Sequence, residues 1–447
     1  MGLHDTEQQH DSAGGGRQDV VVAHLVLVKP GPLRAFPLTS AAGVTLGREG
    51  GDACDLQFAD PRMSRIHARV EYRLAEWALI DQGSRNGAFV DGMPVASGGR
   101  APLADGSVIR LGDTILLLRA TSPTHDEELP AFPGRSAAAA AVRVRLRRLV
   151  ASGGHVLILG ETGTGKERVA RALAKSDAPF VVQNCAELTR ELIRAELFGY
   201  LRGAFTGAQC NRDGLVDAAA GGALFLDEIG DLPLDVQADL LRFLEDGSFR
   251  PVGSLSSKFS DARVIAATNV DLDAAVGAGK FRRDLLARLR ASNAPLELPA
   301  LRDRCEDVPR WTRAFGLEAG AEPPEEMWTA GALECLLLYG WPDNLRELRG
   351  LVRRLVEEEP RWPIGAEALP EALRERRVGL RTSPREPSGP IPPIPARPAV
   401  DPTKEVIEVA LREAKGNMKV VAERLELDRR KLYRLCERLG IPFEDYR

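Results

Sequence analysis

Twelve consecutive residues constrain this chain more than any others: Val156 to Glu167, VLILGETGTGKE. An apolar run, Val156-Leu157-Ile158-Leu159, meets a loop with three glycines and then Lys166. Arg168-Val169-Ala170-Arg171-Ala172-Leu173 follows with helical character. Strand, glycine-rich loop, lysine and helix in this order make a phosphate-binding loop. Gly160, Gly163 and Gly165 allow the tight turn that aims backbone N–H groups inward, and Glu161, Thr162 and Thr164 complete the cradle. Lys166 can reach terminal phosphates, and the helix N-terminus adds a favourable dipole. Glu167 breaks the general pattern, standing where Ser or Thr usually meets Mg²⁺. Taken alone, the stretch implies ATP or GTP; the alternative is a glycine-rich turn with an incidental lysine.

The chain has 447 residues, more than one compact core accommodates, so two to four domains are expected. A net charge of −4 argues against a protein that coats nucleic acid over its whole surface; DNA contact requires a local basic patch. The six cysteines are scattered without a C-x-x-C pair, which suits reduced thiols rather than a disulfide frame or zinc site. Residues 1–19 form a polar tail, His4 and His10 included, with no apolar core of signal-peptide length. No apolar run is long enough to span a bilayer, so a cytoplasmic location and no membrane partner are expected.

From residue 20 to about 121 the chain reads as short strands between turns: VVAHLVLV, GVTLG, ARVEYRL, EWALID and GSVIRLGDTILLLR. No helical stretch interrupts them, which fits an all-β sandwich. The polar residues fall in loops: Gly47-Arg48, Ser64-Arg65-Ile66-His67 and Asp81-Gln82-Gly83-Ser84-Arg85-Asn86-Gly87. Loops at one end of a sandwich can converge on a ligand, and Arg, Ser and Asn together suit a phosphate. Singly, each could be a solvated arginine, a hairpin turn or a structural histidine. In combination, GR, SRxH and DxGSxNG resemble the forkhead-associated (FHA) domain. The resemblance implies that Arg48 and Ser64 hold a phosphothreonine phosphate, that Arg85 and Asn86 contact the phosphothreonine or its peptide backbone, and that Gly47 and His67 support the loops.

Residues 122–134, SPTHDEELPAFPG, are acidic and contain prolines, and read as a linker. SAAAAAVRVRLRRLVASG then opens a helix. Beyond Val156, strand and helix alternate, implying a parallel sheet wrapped by helices. The strand LFLD ends at Asp227-Glu228. An acidic pair at the carboxyl end of a buried strand suits Mg²⁺ at Asp227, held directly or through water, and water activation by Glu228. ARVIAATN ends another strand in Asn269, which can reach a γ-phosphate or the attacking water. Arg282 and Arg288 are candidates to offset phosphoryl charge in a neighbouring subunit, and Arg346 to close over the nucleotide. Gly203-Ala204-Phe205-Thr206-Gly207-Ala208 is too rich in glycine for a buried helix and marks an exposed contact loop.

Residues 135–370 resemble the AAA+ domain of bacterial enhancer-binding proteins, which activate sigma-54 RNA polymerase. GETGTGKE is that family's Walker A form, Glu167 included, and LFLDEI its Walker B segment. GAFTGA, intact at 203–208, is its sigma-54 contact loop. The resemblance further implies Asn184 as the residue holding the catalytic glutamate in check, Asn269 as sensor I, Arg282 and Arg288 as arginine fingers, and Arg346 as sensor II. Arg283 and Arg290 depart from the pattern, replacing an acidic residue and an Asn, and are expected to tune subunit contacts.

Residues 371–400 form a Pro-rich linker, densest from Val378 onward. Residues 401–447 are helical, and the last helix carries Arg429, Arg430, Lys431 and Arg434. Two short helices, the second basic, suit a helix-turn-helix in the major groove; the alternative is a small oligomerising bundle. The segment resembles the Fis-type domain of the same activators, with Glu426 in place of a usual turn glycine.

The expected fold class is therefore multidomain: an all-β FHA sandwich, an α/β AAA+ P-loop ATPase with a helical lid, and a small all-α helix-turn-helix domain. The expected function is a sigma-54-dependent activator using ATP and Mg²⁺. Its expected partners are sigma-54 RNA polymerase, enhancer DNA, a phosphothreonine-containing protein or kinase, and further copies of itself, as a hexamer or, at rest, a dimer. With an FHA domain in place of the family's common receiver domain, the input is Ser/Thr phosphorylation, acting by repression or by recruitment. A non-hydrolysing phosphopeptide adaptor is disfavoured by the complete ATPase residue set, and a general AAA+ remodelling enzyme by the GAFTGA loop.

Overall fold

A computed structural model describes residues 21–39, 43–50, 53–73, 76–123, 129–358, 361–375 and 441. The N-terminal tail, the Pro-rich segment and the candidate DNA-binding residues Arg429, Arg430, Lys431 and Arg434 lie outside the described residues. By contacts the chain divides into two units, Met1–Leu380 and Arg381–Arg447. The strands and helices of the described residues all belong to the first unit.

Its N-terminal part holds eleven strands: β1 (Val21–Lys29), β2 (Arg34–Thr39), β3 (Val44–Arg48), β4 (Leu56–Phe58), β5 (Ala68–Arg73), β6 (Glu76–Asp81), β7 (Ala88–Val90), β8 (Met93–Val95), β9 (Arg100–Leu103), β10 (Val108–Leu111) and β11 (Thr114–Arg119). They form two sheets, ordered β2-β1-β11-β10-β7-β8 and β4-β3-β5-β6-β9. Strand side chains alternate between faces, so Leu25, Leu27, Ile109, Leu111, Leu116 and Leu118 enter the sandwich core. The opposite face of the same sheet is also covered. Val26, Val28, Val108, Ile115 and Leu117 join a second core with residues of the helical lid, among them Trp311, Leu333 and Leu336. All six residues of β11 are buried, as a strand covered on both faces requires.

The ATPase part begins earlier than the linker reading placed it. Phe132 is buried against helix α1 (Ala137–Ser152), with Leu129 and Ala131 packed beside it. The apolar side chains of LPAFPG anchor the second half of that segment. Ser136 caps α1 by accepting from the Ala139 N–H, and Gly153 ends it in the left-handed conformation. The sheet comprises β12 (Val156–Leu159), β13 (Phe180–Asn184), β14 (Ala223–Asp227), β17 (Arg263–Thr268) and β18 (Leu296–Glu297), in the order β13-β14-β17-β12-β18. All its pairings are parallel. Helices α2 (Lys166–Leu173), α3 (Arg190–Phe198), α4 (Leu215–Ala218), α5 (Leu234–Asp246), α6 (Leu272–Gly277) and α7 (Arg283–Ser292) accompany it. A short ribbon of β15 (Ser248–Phe249) and β16 (Lys258–Phe259) projects from the sheet region.

A 3-10 turn, Leu301–Asp307, leads into the lid of α8 (Val308–Glu318), α9 (Ala330–Leu338), α10 (Asn344–Glu357) and α11 (Glu371–Glu375). The lid extends past residue 370 because Leu373 of α11 is buried in its core. Among the described residues, no helix is long and apolar enough to cross a membrane.

Candidate functional site

The phosphate loop connects β12 to α2, as its sequence requires. Gly163 (φ +76°) and Gly165 (φ +104°) adopt backbone conformations that L side chains rarely take. Lys166 opens α2 with its side chain only 6% accessible, and its Nζ donates to the Gly160 carbonyl at 3.0 Å. Thr164 Oγ1 donates to the Glu161 carbonyl at 2.8 Å. Glu167 is exposed and pairs with Arg171 at 3.5 Å, one turn along the helix, so it faces away from the loop.

Because the sheet is parallel, the carboxyl ends of its strands lie on one side. Asp227 ends β14, and Asn269 follows β17, which lies between β14 and β12. Glu228 holds a left-handed backbone (φ 49°), uncommon for a residue with a side chain. Its Oε1 lies 3.6 Å from Lys166 Nζ, and its Oε2 accepts from the Asn269 N–H at 3.2 Å. Asn269 Nδ2 donates to Thr162 Oγ1 at 3.0 Å. Phosphate loop, acidic pair and Asn269 therefore meet. Burial raises the Asp227 carboxyl above its ordinary range, with the Lys166 charge opposing that shift.

Asn184 lies beside Asp227 in the β13–β14 register, but its amide does not reach Glu228. Its Nδ2 donates to Glu187 Oε1 at 3.1 Å, and its Oδ1 accepts from the Ala186 N–H at 3.0 Å. The cause is local, since Asn184 caps the turn Cys185–Glu187. The two finger candidates also point elsewhere. Arg282 clasps Asp284, while Arg288 donates to the Leu244 and Glu245 carbonyls at the end of α5. Arg290, one of the departures, pairs with Asp273 at 2.6 Å.

The lid closes over the loop through α10. A Cβ on Gly163 would stand 3.2 Å from the Arg346 Cβ, so the root of Arg346 abuts the loop. Three participants were not singled out from sequence. Arg302 forms a two-pronged pair with Glu161, at 2.8 and 2.5 Å. Asn344, fully buried with φ 51°, donates to the Thr162 carbonyl at 3.0 Å and to Glu161 Oε2 at 3.2 Å. Arg304 reaches the Thr164 carbonyl at 3.4 Å. The charge density of RDRCED between apolar flanks was the available signal for the two arginines.

The GAFTGA segment lies in the loop between α3 and α4. Gly203 and Gly207 have positive φ, and the Gly203 N–H donates to the Ala208 carbonyl at 2.9 Å, closing a tight lobe. Phe205 is 42% exposed at the lobe, its ring 5.0 Å from that of Tyr200. Tyr200 pairs with Arg212 and Val252, so the lobe is braced by the segment between β15 and β16.

In the sandwich the three polar loops converge. The Ser64 N–H donates to His67 Nδ1 at 3.1 Å, and His67 Nε2 lies 3.2 Å from the Gly87 carbonyl. The buried imidazole thus ties two loops together as a neutral ring, and burial lowers its affinity for a proton. Ser64 Oγ accepts from the Arg85 N–H at 3.0 Å, and Asn86 Nδ2 donates to the Arg62 carbonyl at 2.6 Å. Arg48 is half-buried beside the Pro61 carbonyl, 3.5 Å away. At Gly47 a Cβ would stand 2.0 Å from the Arg65 carbonyl oxygen, so only glycine fits.

Four family models match the chain: the Sigma-54 interaction domain over 132–294, the FHA domain over 44–112, the AAA+ ATPase lid domain over 302–385, and the Fis family of bacterial regulatory proteins over 404–439. The DNA-binding transcriptional regulator NtrC of Rhizobium meliloti is 44% identical over 263 residues, 57% of this chain and 54% of that protein. The anaerobic nitric oxide reductase transcription regulator NorR of Citrobacter koseri is 42% identical over 300 residues, 64% of this chain and 58% of the relative. The transcriptional regulatory protein ZraR of Escherichia coli O157:H7 is 38% identical over 332 residues, 71% of this chain and 72% of the relative. This chain spans about half the length of the NtrC relatives it matches. The chain belongs to the sigma-54-dependent transcriptional activators, and within that family it carries an FHA domain ahead of its ATPase domain.

Proposed function

We propose that this protein hydrolyses ATP to remodel sigma-54 RNA polymerase at promoters, under the control of an FHA domain that senses phosphothreonine. The observation that carries the reading is the meeting of Lys166, Glu228 and Asn269 beside the phosphate loop, in a chain that also presents GAFTGA on an exposed lobe. Loop amides from Gly160 to Lys166 receive the phosphates of ATP, Glu167 lies on the outer side of the first turn of α2, and Arg346 closes from the lid.

The donor set fits Mg²⁺. Among the described residues there is no group of three or more His, Cys, Asp or Glu side chains that could hold a metal by itself. Mg²⁺ in nucleotide sites takes one or two carboxylates with phosphate oxygens and water, and Asp227 supplies such a carboxylate. When bound, the ion neutralises charge developing on the transferred phosphoryl group. Glu228 orients the attacking water and takes its proton, while Asn269 fixes that carboxylate through its own N–H. Asn184, adjacent on the sheet to Asp227, turns from Glu187 to Glu228 to restrain it until polymerase is engaged.

Arg282 and Arg288 act on the site of a neighbouring subunit, so the working form is an oligomeric ring, a hexamer, formed from a resting dimer. The lobe 203–208 touches sigma-54, with Phe205 as its apolar tip. Arg48, Ser64, Arg85 and Asn86 read the phosphothreonine of a partner protein or kinase. Arg429, Arg430, Lys431 and Arg434 read enhancer DNA from a domain over 401–447, joined by a Pro-rich linker. The protein works in the cytoplasm.

The test is transcription from a sigma-54 promoter with purified polymerase, alongside ATP turnover. Wild type is expected to do both. Glu228→Ala should turn over ATP about 10²–10⁴-fold more slowly, the range of general acid–base catalysis. Thr206→Ala should lose promoter activation. Equal turnover by wild type and Glu228→Ala sinks the enzyme reading, and full activation by Thr206→Ala sinks the polymerase-contact reading.

A further inference from the structure

The turn Leu301–Asp307 has two audiences. Toward the phosphate loop, Arg302 grips Glu161 with two hydrogen bonds, and Arg304 reaches the Thr164 carbonyl at 3.4 Å. The Leu301 N–H donates to Asn344 Oδ1 at 2.7 Å, and the same amide donates to Thr162 and Glu161. Toward the sandwich, Glu306 forms a buried ion pair with Arg119 at the end of β11, and Arg119 Nη2 also lies 3.4 Å from Cys305 Sγ. Asp307 accepts from the Arg135 and Ser136 N–H groups and from Ser136 Oγ, pinning the start of α1.

Seven residues thus join the FHA sheet, the first helix of the ATPase and the nucleotide loop. The arrangement is stiff for physical reasons. The turn is broken at Arg304, whose φ of −136° and ψ of 43° are not helical, so a shift at Glu306 reaches Arg302 through packed side chains and not along a continuous helical turn. Leu301, Arg304, Cys305, Glu306 and Asp307 are all buried, in a packed interior that deforms little. The sandwich cannot easily slide either, because its outer face shares a core with the lid and two more pairs cross the seam: Arg110–Glu334 at 2.9 Å and Lys29–Glu326 at 3.0 Å.

We propose that Arg119, a residue of the FHA sandwich, is a positioning residue for the nucleotide site, acting through Glu306 and the Leu301–Asp307 turn on Glu161 and Thr162. The sandwich is then a fixed part of the ATPase, and the state of the FHA domain reaches the phosphate loop by this path. The relay rests on the proposed ATPase function of the chain.

The test is the equilibrium affinity of the full chain for AMP-PNP with Mg²⁺, in wild type, Arg119→Met, Arg302→Met and the double variant. Arg119→Met is expected to weaken binding about tenfold, within the usual range of site-to-site coupling. Arg119→Lys should restore most of it. The double variant should be no weaker than Arg302→Met alone, since both cuts fall on one path. An Arg119→Met chain that is folded by circular dichroism and binds within about twofold of wild type overturns the proposal, as does strict additivity.

Should Arg119→Met not fold, Glu306→Gln is read against the same limits. Hydrogen exchange of wild type gives an independent answer: AMP-PNP should protect amides at the end of β11, and unchanged exchange there overturns the proposal. A wild-type chain that binds no AMP-PNP sinks the ATPase reading itself, whereas failure of the variants alone sinks only the relay.

Discussion

Gly163 of the phosphate loop and Asp343 of the lid meet backbone to backbone: a Cβ on Gly163 would stand 2.1 Å from the Asp343 carbonyl oxygen. The Leu345 N–H donates to the Gly163 carbonyl at 3.1 Å across the same contact. The lid reads the loop's main chain here, and a side chain would act as a wedge. Gly163→Ala should therefore weaken nucleotide binding at least tenfold, by pushing the lid away and by straining a φ of +76°. The change should cost about 1–2 kcal/mol of stability, and calorimetry with Mg-ATP checks both effects.

A pH-dependent loss of stability is built in at His155. Its Nδ1 accepts from the Val264 N–H at 3.0 Å, so the fold needs the neutral ring. Burial, with the Arg288 and Arg263 charges nearby, holds its pKa down to about 4 from an ordinary 6.5. A group with a lowered folded pKa lends stability that is fully present above 6.5 and lost as pH falls toward 4. Between these limits the chain should lose on the order of 3 kcal/mol from this residue. His155→Asn, whose Oδ1 replaces the acceptor without titrating, should flatten that part of a Tm-versus-pH curve. A slope unchanged from wild type would refute the assignment.

In the sandwich, Arg48 is predicted to be the charged anchor of phosphothreonine. Arg48→Ala should weaken a phosphothreonine peptide by about 1.5–3 kcal/mol, the value of a charge-assisted hydrogen bond. Titration calorimetry reads the loss directly, and His67→Ala should weaken the same peptide indirectly by releasing the Ser64 loop.

At the seam, Arg110 sits 2.9 Å from Glu334, whose side chain is fully buried. Arg110→Ala removes this ion pair from a carboxylate buried in the shared core and should cost about 3–5 kcal/mol. Replacing both residues with leucine should recover most of the loss, because two apolar side chains suit the shared core without any charge to desolvate. Urea denaturation midpoints of the single and double variants decide it.

Most of the candidate nucleotide site was legible because it is written in contiguous words. GETGTGKE dictates its own turn through glycine backbone freedom, and LFLDE places its acids by ending a buried strand. The sandwich loops were legible for the same reason, since GR, SRxH and DxGSxNG are short and chemically distinctive. Other features are set by the tertiary structure. Asn184 caps its own turn instead of reaching Glu228, a choice between two nearby hydrogen-bonding options that spacing does not reveal. Arg302 and Asn344 bind residues 141 and 183 positions away, respectively, through geometry no local pattern records.

The sequence by itself determined the list of parts: a glycine-rich strand-to-helix loop with an acidic pair, an exposed glycine-braced lobe, and a sandwich with converging polar loops. Each is decided by backbone freedom and side-chain chemistry within a few residues. Only the tertiary structure decided that the sandwich, the ATPase sheet and the lid form one continuous body. The run TILLLR hinted at it, being apolar without alternation, but a strand covered on both faces does not name its cover. That cover is the lid, and the contact is sealed by Arg119 and Glu306, residues 187 positions apart. Long-range packing of this kind follows from which apolar faces fit together after the elements have formed.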